Sequence, residues 1–372
     1  MPCTQSNLAV YSPALMTYIK QLDSLRAIAV LLVIITHWFP ETNKLNIYTG
    51  VFNGVDIFFV LSGFLITKIL FENREWSKLH PTGRQSIIKN FYTRRFLRIF
   101  PIYYISLFLL YAIGPATGTA IRENFIYFVS YTSNFYFLSA GHWDGILSHL
   151  WSLSVEEQFY LLWPWLMLYV NRKYLLPVIL ISIAIGFGTQ LFLRKDNFGD
   201  IFTLSCFDGF GFGALLAWAF VYKPSAIRRY YLPLLYAAIG AFILQLFRVS
   251  GQNIFIPSRT LTSICTIWII CVILLEKRFI LSKIILDNRI LIFIGKISYG
   301  IYLYHLMIPY FAYKALTSIN NLLPSFIRKY NSHLLIAENF VLLIVIAFLS
   351  WQLIEQPALR LKNRFNYHRA PA

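Results

Sequence analysis

The sequence predicts an all-α protein, a polytopic membrane bundle of about ten transmembrane helices with both termini in the cytoplasm. Of its 372 residues, 58% are hydrophobic and only 13% are charged, which is far more apolar than an ordinary soluble domain. The apolar residues lie in runs of about 20, the length that a helix needs to cross the hydrocarbon core. We therefore expect one transmembrane domain over residues 1–372, with short cytoplasmic tails and no appended soluble domain.

The hydropathy pattern places the ten predicted spans between residues 22 and 356. They lie at roughly 22–39, 51–71, 96–114, 150–170, 174–193, 201–221, 231–248, 257–275, 290–313 and 336–356. A further apolar stretch at 124–139 is shorter and is interrupted by Thr132, Ser133 and Asn134. We expect this stretch to be re-entrant or interfacial, although the sequence leaves a full span open.

The distribution of lysine and arginine predicts the orientation, because cytoplasmic segments are enriched in these residues. Most of the cations lie in six segments that a cytoplasmic N-terminus would place inside. These segments are 1–21, 72–95, 171–173, 222–230, 276–289 and 357–372. A full span at 124–139 would invert everything after it and weaken this asymmetry. The sequence therefore predicts a multi-pass protein of the cell membrane, in contact with membrane lipid.

Composition also argues against nucleic-acid binding, a disulfide framework and a metal site. The net charge of +17 is spread over short segments and forms no basic patch on a soluble unit, so nucleic-acid binding is not expected. The cysteines form no CxxC pair, which argues against a disulfide framework and against a metal site. They are Cys3, Cys206, Cys265 and Cys271. No metal is therefore expected.

Arg26 and His37 lie in the first predicted span, eleven residues apart. Eleven residues of α-helix turn through about 1100° and rise about 16.5 Å, so both side chains lie on one face. A cation and an imidazole inside hydrocarbon are costly, which favours a functional interpretation. Two simpler interpretations stay open. Arg26 could extend to the interface, and His37 could bond a neighbouring helix.

Other polar residues inside the spans follow helical spacing. Ser152, Glu156 and Tyr160 are four residues apart and predict one polar stripe. In the ninth span, Tyr302 and His305 share a face. The orientation predicts that six titratable residues converge on the outer half of the membrane, namely His37, Asp56, His149, Glu156, Glu157 and His305. Asp56 could instead cap its helix, one glutamate could be solvated, and His305 could simply bond a neighbouring helix.

Arginines collect on the cytoplasmic side. Arg94 and Arg95 precede the third predicted span, Arg98 lies just inside its start, and Arg26 lies on the same side of the membrane. Such a group is a reasonable phosphate site, because guanidinium groups form strong charge-assisted bonds with phosphate oxygens. The alternative is that these arginines only mark the cytoplasmic side of the membrane.

Six motifs in order along the chain resemble the acyltransferase 3 family of integral-membrane acyltransferases. They are LDSLRAIAV (22–30) with His37 following, GVDIFFVLSGF (54–64), RRFLRIFPIYY (94–104), WSLSVEEQFY (151–160), SYGIYLYH (298–305) and the terminal Glu355-Gln356-Pro357. The resemblance covers roughly residues 20–360. The last motif departs from the family, which often has a basic residue where this chain has Gln356. We therefore expect only a structural role for Glu355 and Pro357.

The resemblance implies a membrane-bound O-acyltransferase. This family moves an acyl group, commonly acetyl, from cytoplasmic acyl-CoA to hydroxyls of carbohydrates or other acceptors at the far side of the membrane. An arginine and a histidine with ten residues between them are its functional pair, and here Arg26 and His37 resemble that pair. The expected partners are therefore acetyl-CoA or another acyl-CoA, a carbohydrate or lipid-linked glycan, and lipid.

These observations assign candidate roles. We expect His37 to act as general base or acyl carrier, with Asp56, Glu156 and His305 as further catalytic residues. Arg26, Arg94, Arg95 and Arg98 are expected to bind the donor phosphates. The remaining candidates are expected to bind the acceptor: Ser62, His149, Trp151, Ser152, Glu157 and Tyr302.

Two other functions remain open at this point. A carrier or flippase for a lipid-linked sugar would also place charges inside the membrane, but such proteins commonly contain an internal repeat, which we do not find here. The second open function is that of a membrane protein that binds or senses a ligand without catalysis. The sequence does not identify the acceptor, the acyl group or the oligomeric state, and it leaves direct transfer and an acyl-enzyme intermediate open.

Overall fold

The computed structural model describes residues 18–78, 83–275 and 284–361. Within these ranges the regular elements are helices, and there is no strand. This agrees with the predicted all-α class. Most of both predicted cytoplasmic tails, and the predicted inside cations Lys277 and Arg278, lie outside the described residues.

The helices differ widely in length, and we number them in chain order. They are α1 (Gln21–Trp38), α2 (Lys44–Thr49), α3 (Gly54–Trp76), α4 (Arg84–Ile113), α5 (Phe125–Val129), α6 (Ser133–Ala140), α7 (Leu150–Tyr169), α8 (Leu175–Phe192), α9 (Phe207–Tyr222), α10 (Pro224–Arg229), α11 (Tyr231–Val249), α12 (Ser258–Leu274), α13 (Arg289–Lys296), α14 (Ser298–Tyr304), α15 (Met307–Asn320), α16 (Ser325–Arg328), α17 (Asn331–Ser350) and α18 (Gln356–Leu361). A π-helical turn, Trp351–Glu355, joins the last two.

Seven helical segments in the described ranges are long and apolar enough to cross a membrane. They are Gln21–Trp38, Gly54–Trp76, Arg84–Thr117, Arg172–Phe192, Thr203–Tyr222, Tyr231–Val249 and Asn331–Leu361. A helix suits this environment because it satisfies its own backbone hydrogen bonds where no water is present. The count of ten spans and the cytoplasmic termini stay predictions.

The predicted span at 290–313 differs from the structure, which divides it into α13, α14 and α15. A close helix contact lies next to the first break. A Cβ atom at Gly295 would lie 1.9 Å from the carbonyl oxygen of Asp23, so the backbone of α13 rests directly on α1. The stretch 124–139 forms α5 and α6. With its 8 residues, α6 is about 12 Å long and too short to span.

Helix α3 lies at the centre of the bundle and crosses α9 at very short range. Cβ atoms placed on Gly63 and Gly213 would each lie 2.1 Å from a backbone oxygen of the opposite helix, that of Phe210 and that of Val60. Only glycine allows this approach, since small residues let helix backbones meet.

Helices α1 and α3 run in opposite directions. Gly54, at the start of α3, lies against Ala29 of α1, whereas Leu65 lies beside Arg26 in a common cavity. We therefore name the two ends of the bundle after residues of α1, the Arg26 end and the His37 end. At the Arg26 end, α1 begins and α3 finishes; at the His37 end, α1 finishes and α3 begins.

Candidate active site

The Arg26 end contains a basic cavity of about 420 Å³, which we call the basic mouth. Its cationic lining residues are Arg26, Lys68, Arg94, Arg95, Arg98 and Lys296. Two of them are already neutralised: Arg26 pairs with Asp23 at 2.6 Å, and Lys68 pairs with Glu72 at 2.7 Å. In the described part of the chain, no carboxylate oxygen lies within 4.0 Å of Arg95 or Arg98. Their charge is available to an anionic ligand.

Aromatic rings hold the guanidinium of Arg95 in place. Its central carbon lies 5.2 Å from the ring centre of Tyr160 and 5.7 Å from that of Phe91. Both distances are within the range of a cation–π contact. Phe91 is on α4, the same helix as Arg95, and Tyr160 is on α7. The arginine is thus fixed by packing rather than by a countercharge.

The basic mouth continues into a smaller space of about 90 Å³, which we call the inner cavity. The two share Arg26, Leu65, Arg95 and Arg98 in their walls. The other polar lining residues of the inner cavity are Ser62, Ser152, Glu156, Glu157, Tyr160, Ser298, Tyr299 and Tyr302. The predicted stripe of Ser152, Glu156 and Tyr160 therefore faces one space.

The carboxylate of Glu156 accepts two hydrogen bonds at the centre of a group of polar side chains. Ser62 donates from Oγ to Glu156 Oε1 at 3.0 Å, and Tyr160 donates from its hydroxyl to Glu156 Oε2 at 3.2 Å. The hydroxyls of Ser62 and Tyr160 are 2.9 Å apart. This group connects α3 to α7 beside Arg95.

Tyr302 connects the inner cavity to a cluster of histidines. Its hydroxyl is hydrogen-bonded to Ser152 and also lies 3.2 Å from the carbonyl oxygen of His149. Its ring centre lies 5.6 Å from that of His149 and 5.4 Å from that of His305. The cavity wall is therefore in direct contact with the histidines.

Three histidines meet at the His37 end. The ring centre of His305 lies 4.9 Å from that of His37 and 4.8 Å from that of His149. His37 is exposed, whereas His149 and His305 are buried. The indole of Trp38 donates to the carbonyl oxygen of His305 at 2.8 Å, which fixes the end of α1 against this cluster.

The hydrogen bonds of the rings fix their tautomers, because a backbone carbonyl can only accept. Nδ1 of His37 lies 2.8 Å from the carbonyl oxygen of Val33, and Nδ1 of His305 lies 2.6 Å from that of Tyr302. Both Nδ1 atoms therefore carry the hydrogen, and each Nε2 keeps its lone pair. Nε2 of His305 is buried without a hydrogen-bond partner in the described structure.

Asp56 is paired with Arg259 and not with a residue of the histidine cluster. Its Oδ1 accepts from Nε of Arg259 at 2.7 Å, and both side chains are buried. Asp56 does not cap its helix either, since the side chain of Asn53 accepts from the amide of Val55. Sequence reasoning missed Arg259. The available signal was a cation two residues into the predicted span 257–275.

Trp151 also points away from the inner cavity. It lines a separate cavity together with Asp56 and Arg259. Sequence reasoning missed Asp23 as well, although its spacing of three residues before Arg26 is typical of a helical ion pair. Among the described residues, no group of three or more histidine, cysteine, aspartate or glutamate side chains is arranged to hold a metal ion.

Comparison with known proteins decides the family. A family model described as an acyltransferase domain, that of acyltransferase 3, matches residues 19–354. The chain belongs to the acyltransferase 3 family. With seven apolar helices of spanning length in its described part, this acyltransferase 3 protein is an integral membrane protein.

Two relatives indicate where this acyltransferase 3 chain lies within its family. It is 32% identical over 315 residues to the peptidoglycan O-acetyltransferase OatA of Listeria monocytogenes, a match that covers 77% of this chain and 49% of the relative. It is 29% identical over 324 residues to the O-acetyltransferase OatA of Staphylococcus aureus, with 80% and 51% covered. The chain thus spans about half the length of these relatives. No solved structure matches it.

Proposed function

We propose that this protein is a membrane-bound O-acyltransferase that moves an acyl group, most simply acetyl, from acyl-CoA to a hydroxyl of a carbohydrate. One observation carries the proposal. The basic mouth shares Arg26, Arg95 and Arg98 with the inner cavity, and Tyr302 joins that cavity to the histidines. The relatives support the same chemistry, since both are named O-acetyltransferases and one is named for peptidoglycan.

The donor would bind with its phosphates in the basic mouth. Arg95 and Arg98 have no carboxylate partner among the described residues, and a guanidinium fork matches a phosphate group well. Arg94 lies on the same helix and lines the same space. The pantetheine arm would extend inward past Ser62 and Glu156. This path follows α1 over the rise of about 16.5 Å between Arg26 and His37.

The transfer step would use His37 as general base. Nδ1 of His37 carries a hydrogen toward Val33, so Nε2 can take the proton of the acceptor hydroxyl. As that proton leaves, the hydroxyl oxygen attacks the thioester carbonyl carbon. A carbon–oxygen bond forms, the carbon–sulfur bond breaks, and the proton on His37 passes to the departing thiolate. The products are an ester and CoA thiol.

Other polar residues would position the reactants. His305 contacts the ring of His37 and keeps a free Nε2 in the interior, so we assign it to proton movement beside His37. The pantetheine arm would be oriented by the hydrogen-bonded group of Ser62, Glu156 and Tyr160. The inner cavity would be closed on the histidine side by Ser152 and Tyr302. Glu157 lines the same space.

Proteoliposomes that contain the purified protein would test this function. Radiolabelled acetyl-CoA is supplied on one side and an oligosaccharide on the other, and both free CoA thiol and sugar ester are measured. We expect wild-type protein to form both in equal amounts. Sugar crossing the membrane without ester would favour a carrier, and the absence of thiol release with acetyl-CoA and succinyl-CoA would reject the enzyme.

A further inference from the structure

A second cavity, of about 380 Å³, lies at the His37 end and plays no part in the donor path described above. Asn53 and Asp56, at the beginning of α3, form part of its wall. The rest of the wall comes from Trp151 of α7, the ends of α8 and α11, the loops that follow α8 and α11, and the beginning of α12. We call it the polar cavity. It lies at the opposite end of the bundle from the basic mouth.

Side chains that bond to backbone carbonyls hold the rim of the polar cavity in place. Arg248 donates to the carbonyl oxygens of Ile254 and Ile256, the first at 3.1 Å, and Arg194 donates to Ile254 at 3.2 Å. Arg259 similarly donates to the carbonyl of Asp200 at 2.9 Å. The segment between α11 and α12 is therefore tied to its surroundings by several hydrogen bonds.

Within the described part of the chain, the polar cavity also has carboxylates without a cationic partner, of which Asp196 accepts from the amide of Phe198 through Oδ1 at 2.9 Å. In the described ranges no cation lies within 4.0 Å of the carboxylates of Asp196 and Asp200. Nε of Arg248 is buried and has no hydrogen-bond partner there. Phe255, at the rim, is 65% exposed. Carboxylates and guanidinium groups bind hydroxyls, and an aromatic ring covers the apolar face of a sugar.

The charges of the lining favour a neutral ligand over a phosphate. Three carboxylates, those of Asp56, Asp196 and Asp200, face three guanidinium groups, those of Arg194, Arg248 and Arg259. The polar cavity thus has no net formal charge, unlike the basic mouth. An anionic headgroup would gain little there, whereas a ring with many hydroxyls can use donors and acceptors together.

The polar cavity borders the reaction path. Trp151 lines it, and the ring of Trp151 lies 6.0 Å from that of Phe59, which lines the inner cavity. The next residue along α7, Ser152, faces the inner cavity and Tyr302. His149 lies one helical turn or less away on the same segment. The rings of Trp151 and Phe59 therefore form the wall between the polar cavity and the inner cavity.

We propose that the polar cavity is the binding site of the acceptor, a neutral oligosaccharide. Phe255 would stack on a sugar ring, and Asp196, Asp200 and Arg248 would bind its hydroxyls. The proposal rests on the acyltransferase function proposed above, and it adds the place and the chemical class of the acceptor.

A thiol-protection experiment tests binding without requiring turnover. Leu191, which lines the polar cavity and is partly exposed, is changed to cysteine in a Cys3→Ser background; Cys206, Cys265 and Cys271 are buried. We expect N-acetylchitotetraose or maltotetraose to slow maleimide labelling of the Leu191→Cys protein. Labelling of a matched Leu322→Cys protein, at a site 86% exposed elsewhere, should not change. If neither sugar protects Leu191→Cys, the proposal is overturned.

A kinetic comparison separates this proposal from the proposed function. Phe255→Ala should raise KM for the oligosaccharide about tenfold, since burial of a phenylalanine contributes at least that factor, and should leave kcat and the KM for acetyl-CoA unchanged. Phe326, which is 66% exposed outside the cavity, provides the control Phe326→Ala. Normal acceptor KM in Phe255→Ala and in Asp196→Asn would overturn the acceptor site and leave the enzyme standing. Absence of all transfer would reject the enzyme, and the labelling result would still decide the site.

Discussion

Nε of Arg259 lies 2.7 Å from Oδ1 of Asp56, and this ion pair joins α12 to α3 in the interior of the bundle. The remaining nitrogens of Arg259 donate to the carbonyl oxygens of Ser205 and Asp200, at 2.8 and 2.9 Å. Each of the three nitrogens of the guanidinium is therefore hydrogen-bonded within the fold. We conclude that Asp56 contributes first to structure, as the countercharge of a buried cation.

Removal of that countercharge should destabilise the protein. Asp56→Ala leaves Arg259 buried without its partner, and loss of one member of a buried pair costs about 3–5 kcal/mol. We expect a clearly lower midpoint of thermal unfolding for the detergent-solubilised variant. Lys78→Met is the control, because it breaks the exposed pair with Glu75, which contributes about 1 kcal/mol or less. An unfolding midpoint for Asp56→Ala equal to that of Lys78→Met would contradict this role.

Replacement of His37 by alanine should stop acyl transfer while the protein stays folded. Loss of a general base lowers the rate about 10²–10⁴-fold, and the change lies at the end of α1 remote from the basic mouth, so CoA affinity should be preserved. Turnover and calorimetric CoA binding are measured on the same preparation. His142→Ala, an exposed histidine outside the cluster, should behave as wild type. Full turnover by His37→Ala would transfer the role of base to His305.

The arginines of the basic mouth should determine donor affinity. A charge-assisted bond to phosphate contributes about 1.5–3 kcal/mol, so Arg95→Ala or Arg98→Ala should weaken CoA binding about 10–150-fold. Arg94→Ala and Arg26→Ala test the rest of the set, and dephospho-CoA tests which arginine binds the 3′-phosphate. Binding should also weaken with added salt. Arg228→Ala, exposed and outside the mouth, is the control. Wild-type affinity in all four variants would leave these arginines with a topological role only.

Residues before and after α11 should be accessible from opposite sides of the membrane. Ser225 and Asn253 are both exposed and flank this helix. In intact cells we expect an impermeant maleimide to label Asn253→Cys and to label Ser225→Cys only after the membrane is opened. Labelling of Ser225→Cys from outside would reverse the predicted orientation.

Local patterns in the sequence predicted much of the bundle and much of the candidate site. Hydropathy alone locates α1, α3 and α9, because a membrane helix needs a long apolar run. The four-residue spacing of Ser152, Glu156 and Tyr160 predicts their common face, since it nearly equals one helical turn.

The sequence did not predict the contacts between distant parts of the chain. Asp56 and Arg259 are 203 residues apart, and no local spacing connects them. The division of 290–313 into α13, α14 and α15 was also missed, because the run is mostly apolar and hydropathy reports composition but not breaks in a helix. The contact of Gly295 with α1 becomes visible only when both helices are in place.

The uninterrupted course of α1 has a consequence for donor length. Arg26 and His37 lie on one helix without a break, Gln21–Trp38, so helix geometry fixes the distance between the proposed phosphate site and the imidazole. A thioester with a truncated arm would be held by the same arginines, yet its carbonyl carbon would stop short of His37. Such a compound would be an inhibitor and not a substrate, and α1 would act as a molecular ruler.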